Sequence, residues 1–201
     1  MFALVESGSI TKMLSGNQGI TIDGIQHPRA IYTLWTEAER NAIGIYTVEY
    51  DNSNKKDERW YINTNQSYAF GSGKVTATYG TATAKAHADA NFTAQDETDG
   101  LGTEGELKSR GLKYKLIQDV KLEAANELAK TDWYVVRKSE ESTAIPSAIT
   151  THRRAVRSKQ AAMETAITNA SDTPALETLY TYTTDSDGVQ SRPLGELPTL
   201  E

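Results

Sequence analysis

An apolar repeat in the second half of the chain constrains its fold more than any other feature. Apolar side chains recur at every fourth position, at Leu112, Leu116, Val120, Ala124 and Leu128. Because residues four apart lie on the same face of an α-helix, the repeat predicts one long amphipathic helix. Thr103 and Glu106 have the spacing of a capping box. We therefore expect this helix to span about 104 to 130.

A second apolar pattern follows and predicts the other arm of a helical hairpin. Pro146 suits the first turn of a helix. Apolar residues then recur at Ile149, Val156, Met163 and Ile167. In the connection, a side-chain oxygen of Thr131 or Asp132 can cap a new helical turn. We expect Trp133 to pack between the two arms. Residues 171–174 should end the second arm and begin a short third helix at 175–180.

The first 80 residues instead show short β-branched and aromatic runs separated by turn residues. Asp23-Gly24 predicts a two-residue hairpin turn, and residues 71–73 predict a second hairpin. Thr36 and Glu39 form another capping-box pattern, which predicts a helix of about two turns. This region therefore reads as a small module of mostly antiparallel strands with one short helix.

Together these patterns predict an α+β fold in four parts. The parts are a β-rich module at 1–80, a linker at 81–102, a helical hairpin module with a short helix at 103–182, and an extended C-terminal tail at 183–201. The linker is assigned because Ala, Thr, Asp and Gly dominate it. The tail is assigned because it is rich in Pro, Gly, Ser and Thr and shows no hydrophobic period.

Composition excludes several classes of function. The chain has no cysteine, which rules out disulfides, thiolate metal sites and a cysteine nucleophile. Its net charge of −6 argues against general nucleic-acid binding. No run approaches the roughly 20 apolar residues of a membrane span, and the apolar start is too short for a signal peptide. We expect a protein made in a cytoplasm, without nucleic-acid or membrane partners.

The sequence predicts no catalytic, cofactor-binding or metal-binding site. The histidines are widely separated and lack close ligand spacing, at His27, His87 and His152. The Gly71-Ser72-Gly73-Lys74 run lacks the spacing of a phosphate-binding loop, and no helical pattern follows it. We therefore expect a protein that is not an enzyme and needs no cofactor.

A basic run on the second arm is the main candidate for function. Residues three and four apart share one side of a helix, so Arg153, Arg154 and Arg157 form one face. Arginine pairs well with carboxylates and is enriched at interfaces. We predict that this face and the hairpin turn dock an acidic patch of a partner protein. The candidate partner-binding residues are Asp132, Trp133, Tyr134, Arg153, Arg154 and Arg157.

The alternative is that these arginines pair within the hairpin. The carboxylates that could reach them across it are Glu123, Glu127, Glu140 and Glu141. In that case the basic face would stabilise the fold and would bind no partner.

Two sets of motifs resemble one family. The segment 125–157 carries Thr131-Asp132-Trp133, then a His-Arg-Arg-x-x-Arg run at 152–157. Earlier motifs are Gln26-His27-Pro28, the Trp-Thr-Glu-Ala-Glu-Arg run at 35–40 and Ile43-Gly44-Ile45. The first set resembles the C-terminal module of tail assembly chaperones and tail-fibre assembly proteins of tailed phages, and the second is similar to their N-terminal module in marine phages.

The resemblance implies a structural component of a bacteriophage virion, in the tail, tail fibre or baseplate. Such a protein would dock, in multiple copies, on tail, fibre or baseplate proteins, and would be located in the virion tail after synthesis in the bacterial host cytoplasm. The alternative is a tail or tail-fibre assembly chaperone that is not retained in the mature particle. The chain carries Arg192-Pro193-Leu194 where the chaperone module commonly ends in Trp-Pro, which favours the virion component.

Overall fold

The computed structural model of the chain describes residues 1–64 and 66–200. These residues form two compact units, one covering Met1–Thr83 and the other beginning at Ala84. A sheet dominates the first unit and helices dominate the second, which confirms the predicted α+β fold. The boundary between the units lies near the start of the predicted linker, so most of 81–102 belongs to the second unit.

The first unit contains short strands and two short helices. They are β1 (Phe2–Glu6), β2 (Ser9–Leu14), β3 (Ile20–Ile22), β4 (Ile25–His27), α1 (Ile31–Leu34), α2 (Glu37–Ala42), β5 (Ile45–Asp51), β6 (Tyr61–Ile62), β7 (Gln66–Gly71), β8 (Lys74–Tyr79) and β9 (Thr83–Ala84), which crosses the boundary. The unit is built on a curled mixed sheet with strand order β2-β1-β5-β8-β7. Neighbouring strands in this sheet are antiparallel except β5 and β8, which are parallel. The strands β3 and β4 form a separate antiparallel hairpin.

The two faces of this sheet each cover a hydrophobic cluster. Successive side chains of a strand point to opposite faces, so Ala3 and Val5 join one cluster while Leu4 joins the other. One cluster contains Ala3, Val5, Val48, Val75 and Ala77. The other contains Leu4, Leu14, Ile20, Ile22, Ile31, Tyr32 and Ile45.

Local turn and capping signals were read correctly in the first unit. Asp23 and Gly24 have φ values of 50° and 78°, as a hairpin turn with two left-handed residues requires. Thr36 and Glu39 form both hydrogen bonds of the predicted capping box. The structure adds two features that the sequence did not reveal, the short helix α1 and the parallel pairing of β5 with β8.

The second unit contains helices and short paired strands. They are β10 (Ala90–Asn91), α3 (Ala94–Thr98), β11 (Leu107–Ser109), α4 (Leu112–Ala129), α5 (Asp132–Glu141), α6 (Ser147–Asn169), α7 (Thr173–Tyr180), β12 (Thr183–Thr184) and β13 (Gln190–Ser191). The unit is built on two long antiparallel helices that pack against each other, α4 and α6, with α5 in the connection between them. Within the described residues, no helix has both the length and the hydropathy that crossing a membrane requires.

The predicted start of the first long helix near 104 is wrong, because α4 begins at Leu112. The segment around Thr103 instead folds back on the chain before it. Gly105 has φ of +85°, outside the helical region, and its N–H donates to the carbonyl of Phe92 at 2.9 Å. The residues that were predicted to form a capping box therefore lie in a turn that leads into β11.

Residues 85–89, which we had assigned to the linker, close the N-terminal ends of two helices. The first N–H groups of a helix have no partner within it. Here they donate to this segment, from Gly111 N to Asp89 Oδ1 (2.8 Å), from Leu112 N to Ala86 O (2.9 Å) and from Lys113 N to His87 O (3.0 Å). The Thr173 hydroxyl at the start of α7 also donates to Lys85 O, at 2.6 Å. This segment is therefore an integral part of the helical unit.

The predicted extended tail also contacts the helical unit. After the hairpin of β12 and β13, Leu194 is only 2% exposed, and its N–H donates to Leu179 O at 3.0 Å. The Leu200 N–H donates to Glu127 Oε1 at 3.3 Å. The chain between these points therefore lies against α4 and α7 and does not extend away from them.

Candidate protein-docking surface

The six candidate partner-binding residues lie at the start of α5 and on α6. Thr131 separates α4 from α5, and it is fully buried. Its hydroxyl donates to Leu128 O at 2.9 Å, so it does not cap α5 in the way that the sequence suggested. Asp132 follows as the first residue of α5, where its negative charge suits the positive end of the helix dipole.

Arg153 is an internal residue. It is 8% exposed and its Nη1 donates to Leu128 O at 2.8 Å and to the Thr131 hydroxyl at 2.6 Å. Its Nη2 pairs with Asp132 Oδ1 at 2.8 Å. One guanidinium therefore joins α6 to the end of α4 and the start of α5. This pairing across the hairpin is of the kind that the alternative envisaged, although the acid is Asp132 and none of the four glutamates.

Trp133 does not pack between the arms, so that prediction is wrong. Its side chain is 51% exposed, because the buried Thr131 and the Arg153 guanidinium occupy the place where the hairpin closes. The indole stacks on Tyr134 with ring centroids 3.8 Å apart. The Arg137 guanidinium lies 4.7 Å from the centroid of the Trp133 ring. Such a stack holds the aromatic rings in place on the outer side of α5.

The helix α5 exposes apolar side chains to solvent. Within the part of the chain that the structure describes, none of its ten residues is buried. Val135 is 43% exposed and Val136 is 52% exposed, in addition to Trp133. Trp133 and Val136 are three residues apart and share one side of the helix, whereas Val135 lies on another side. We define Trp133 and Val136 as the α5 surface. A helix that buries no side chain in its own unit while exposing an indole and two valines has the properties of a protein contact surface.

Arg154 and Arg157 lie beside this surface and are both exposed. Among residues 1–64 and 66–200, neither guanidinium group makes a hydrogen bond or an ion pair. The basic run therefore divides into one guanidinium that is used internally and two that face solvent. The structure brings Asp132 and Arg153 together, and it places the other four candidate residues on the outer side of α5 and α6.

A buried pair in the hairpin, Glu127 on α4 and His152 on α6, was not predicted from the sequence. His152 and Glu127 are both buried, and His152 Nε2 lies 3.2 Å from Glu127 Oε1, without the alignment of a hydrogen bond. Lys130 Nζ also contacts this carboxylate and, through its hydrogen bond, holds the pKa of Glu127 below its ordinary value. Spacing could have revealed both, because 152 follows Ile149 by three and 127 follows Ala124 by three.

Across the described part of the chain, no three His, Asp or Glu side chains converge as a metal site needs. The candidate site is thus an exposed surface of aromatic, aliphatic and basic groups, whose chemistry suits contact with another macromolecule. Comparisons with models of protein families, with curated proteins and with solved structures find no match for this chain.

Proposed function

We propose that this chain is a non-enzymatic structural component of a bacteriophage virion, in the tail, tail fibre or baseplate, and that it acts by docking on other proteins. The observation that carries the docking role is the α5 surface, where Trp133 and Val136 are 51% and 52% exposed. Exposed apolar area of this kind becomes favourable once a partner removes it from water.

The phage context rests on the motif resemblance, and the fold is compatible with it. The Thr131-Asp132-Trp133 triplet forms the junction between α4 and α5, and the basic run lies on the facing part of α6. The motifs that resemble the C-terminal module therefore meet in one region of the second unit, and those that resemble the N-terminal module lie in the first unit. An assembly chaperone that leaves before maturation could use the same region, so the two roles differ in whether the chain stays in the particle.

Mass spectrometry of purified particles tests the proposal. The chain is expressed during infection, and its peptides are quantified in the lysate and in mature particles relative to known tail proteins. We expect abundance in particles comparable to that of a tail subunit. Abundance in the lysate with absence from particles would instead support the assembly chaperone, and the proposed virion role would then be wrong.

Surface variants connect incorporation to α5. Trp133→Ala combined with Val136→Ala removes exposed apolar area from the proposed contact. Leu122→Ala is the matched control, because Leu122 on α4 is also an exposed apolar residue, at 61%. We expect the double variant to be depleted from particles and the control to be incorporated normally. Equal incorporation of both would contradict a docking role for α5.

A further inference from the structure

The three arginines of the basic run line a cavity beside the α5 surface, and of the three only Arg153 forms an ion pair among the described residues. The cavity has a volume of about 400 Å³. The residues that line it are Val135, Ile145, Thr150, Arg153, Arg154 and Arg157. We call this cavity the α5–α6 slot. Its wall on α5 and on the loop before α6 is apolar, through Val135 and Ile145, whereas its wall on α6 is basic.

The charge of the slot is not balanced within it. Asp132 outside the lining neutralises Arg153, whose Nη1 donates to Leu128 O and to Thr131 Oγ1. Arg154 and Arg157 make no ion pair among the described residues, and none of the described lining residues is a carboxylate. The slot therefore presents two available guanidinium groups to whatever enters it, and these favour an anion.

The spacing and the apolar wall narrow the class of ligand. Arg154 and Arg157 are three residues apart on α6, which places their Cβ atoms about 5–6 Å apart. Alternate residues of an extended strand lie on one side at about 6–7 Å, so two carboxylates in alternate positions match the pair. An aliphatic side chain of the same segment can contact Val135 and Ile145. A volume of about 400 Å³ is within the range of pockets that hold small ligands.

From this geometry we infer that the α5–α6 slot binds an extended segment of a partner protein in which acidic residues alternate with aliphatic ones. The inference rests on the proposed docking function and specifies the chemistry of the partner. A nucleic acid fits less well, since two of the six lining residues are aliphatic and the chain carries a net charge of −6. Arg153 also lines the slot, but its guanidinium keeps its contacts with Leu128, Thr131 and Asp132.

A defined peptide tests the inference with the full chain. The probe is a fluorescently labelled synthetic peptide in which glutamate alternates with leucine, and fluorescence anisotropy measures its binding. We expect saturable binding that weakens as salt rises, because ion pairs at an exposed site are screened. A peptide with glutamine in place of glutamate should bind at least about tenfold more weakly.

Charge reversal localises the binding. Arg154→Glu combined with Arg157→Glu should weaken peptide binding at least about tenfold. Lys115→Glu combined with Lys138→Glu is the matched control, because it makes the same change of net charge at exposed positions outside the slot. We expect the control to bind nearly as the parent does, and circular dichroism should show the same helix content in both variants.

The other outcomes overturn the inference. They are the absence of saturable peptide binding, equal effects of the two double variants, and tighter binding of a labelled deoxyoligonucleotide of the same charge. Self-association of the parent that the slot variant alone abolishes would make a second copy the occupant and would also overturn it. If the slot variant is still incorporated into particles while Trp133→Ala with Val136→Ala is not, the proposed function stands and only this inference fails.

Discussion

Replacing Arg153 by methionine tests whether this arginine stabilises the fold or is free to bind a partner. The methionine keeps the unbranched aliphatic stem and removes the guanidinium. In the parent chain that group donates to Leu128 O and to Thr131 Oγ1 and pairs with Asp132. All three contacts lie within the second unit, so we expect Arg153→Met to destabilise the fold directly.

The magnitude follows from the contacts that are lost. Each hydrogen bond to a charged group contributes about 1.5–3 kcal/mol, and two are lost here, a buried one to Thr131 and a partly buried one to Leu128. The ion pair with Asp132 adds only about 0–1 kcal/mol, because that carboxylate is mostly exposed. We therefore expect a loss of about 3–7 kcal/mol in the free energy of unfolding, and a melting temperature lower by roughly 6 °C or more.

Urea and thermal unfolding, followed by circular dichroism, measure this loss. Arg154→Met is the matched control, because it makes the same chemical change at an exposed neighbour and should alter stability by less than about 0.5 kcal/mol. The reasoning is refuted if Arg153→Met unfolds like the parent, or if the two variants lose the same stability. Either result would mean that the Arg153 contacts do not hold the helix junction together.

Three further predictions concern other parts of the second unit. Trp133→Ala should change the free energy of unfolding by less than about 1 kcal/mol in urea unfolding, because the indole is half exposed; a loss of about 3–5 kcal/mol would restore the buried position that the sequence suggested. Lys108, which lies 2.6 Å from Asp96, and the N–H and hydroxyl of Thr93 together lower the pKa of the Asp96 carboxyl from 3.8 to about 2. A lowered pKa stabilises the fold above the unfolded value, so this contribution should disappear between about pH 4 and pH 2, and Asp96→Asn should show a flatter stability profile there; an NMR titration of Asp96 with a midpoint near 4 would contradict this. Leu194→Ala should cost about 2–5 kcal/mol and speed limited proteolysis after residue 183, because the buried side chain holds the C-terminal segment; unchanged cleavage would contradict this role.

The features predicted correctly from the sequence are those decided by neighbouring residues. Asp23-Gly24 specifies its turn because both residues must adopt a positive φ, and the chemistry of that dipeptide permits it. Thr36 and Glu39 have the same spacing as Thr103 and Glu106, yet only the first pair caps a helix. The difference arises because the backbone of Gly105 in the second segment donates a hydrogen bond to Phe92. The spacing of Thr103 and Glu106 alone does not reveal that contact.

The structure places the predicted candidate residues on the helical hairpin, but the environment of Arg153 differs from the one predicted. Residue 153 follows Ile149 by four and precedes Val156 by three, so helical periodicity alone places it on the buried face. Its charge argued for exposure, and burial is acceptable only because Leu128 O and Thr131 supply acceptors. Those acceptors lie 25 and 22 residues away along the chain, and no local pattern reveals them.

The segment 85–89 determines where the chain can be divided. A fragment that begins at 103, the start of the predicted helical module, would lack the acceptors for Gly111, Leu112 and Lys113, and α4 would begin with unsatisfied N–H groups. The same fragment would lack the carbonyl of Lys85, which the Thr173 hydroxyl contacts across 88 positions of sequence. A shortened protein that is intended to fold as the helical unit therefore has to begin before Lys85, although the apolar repeat starts much later.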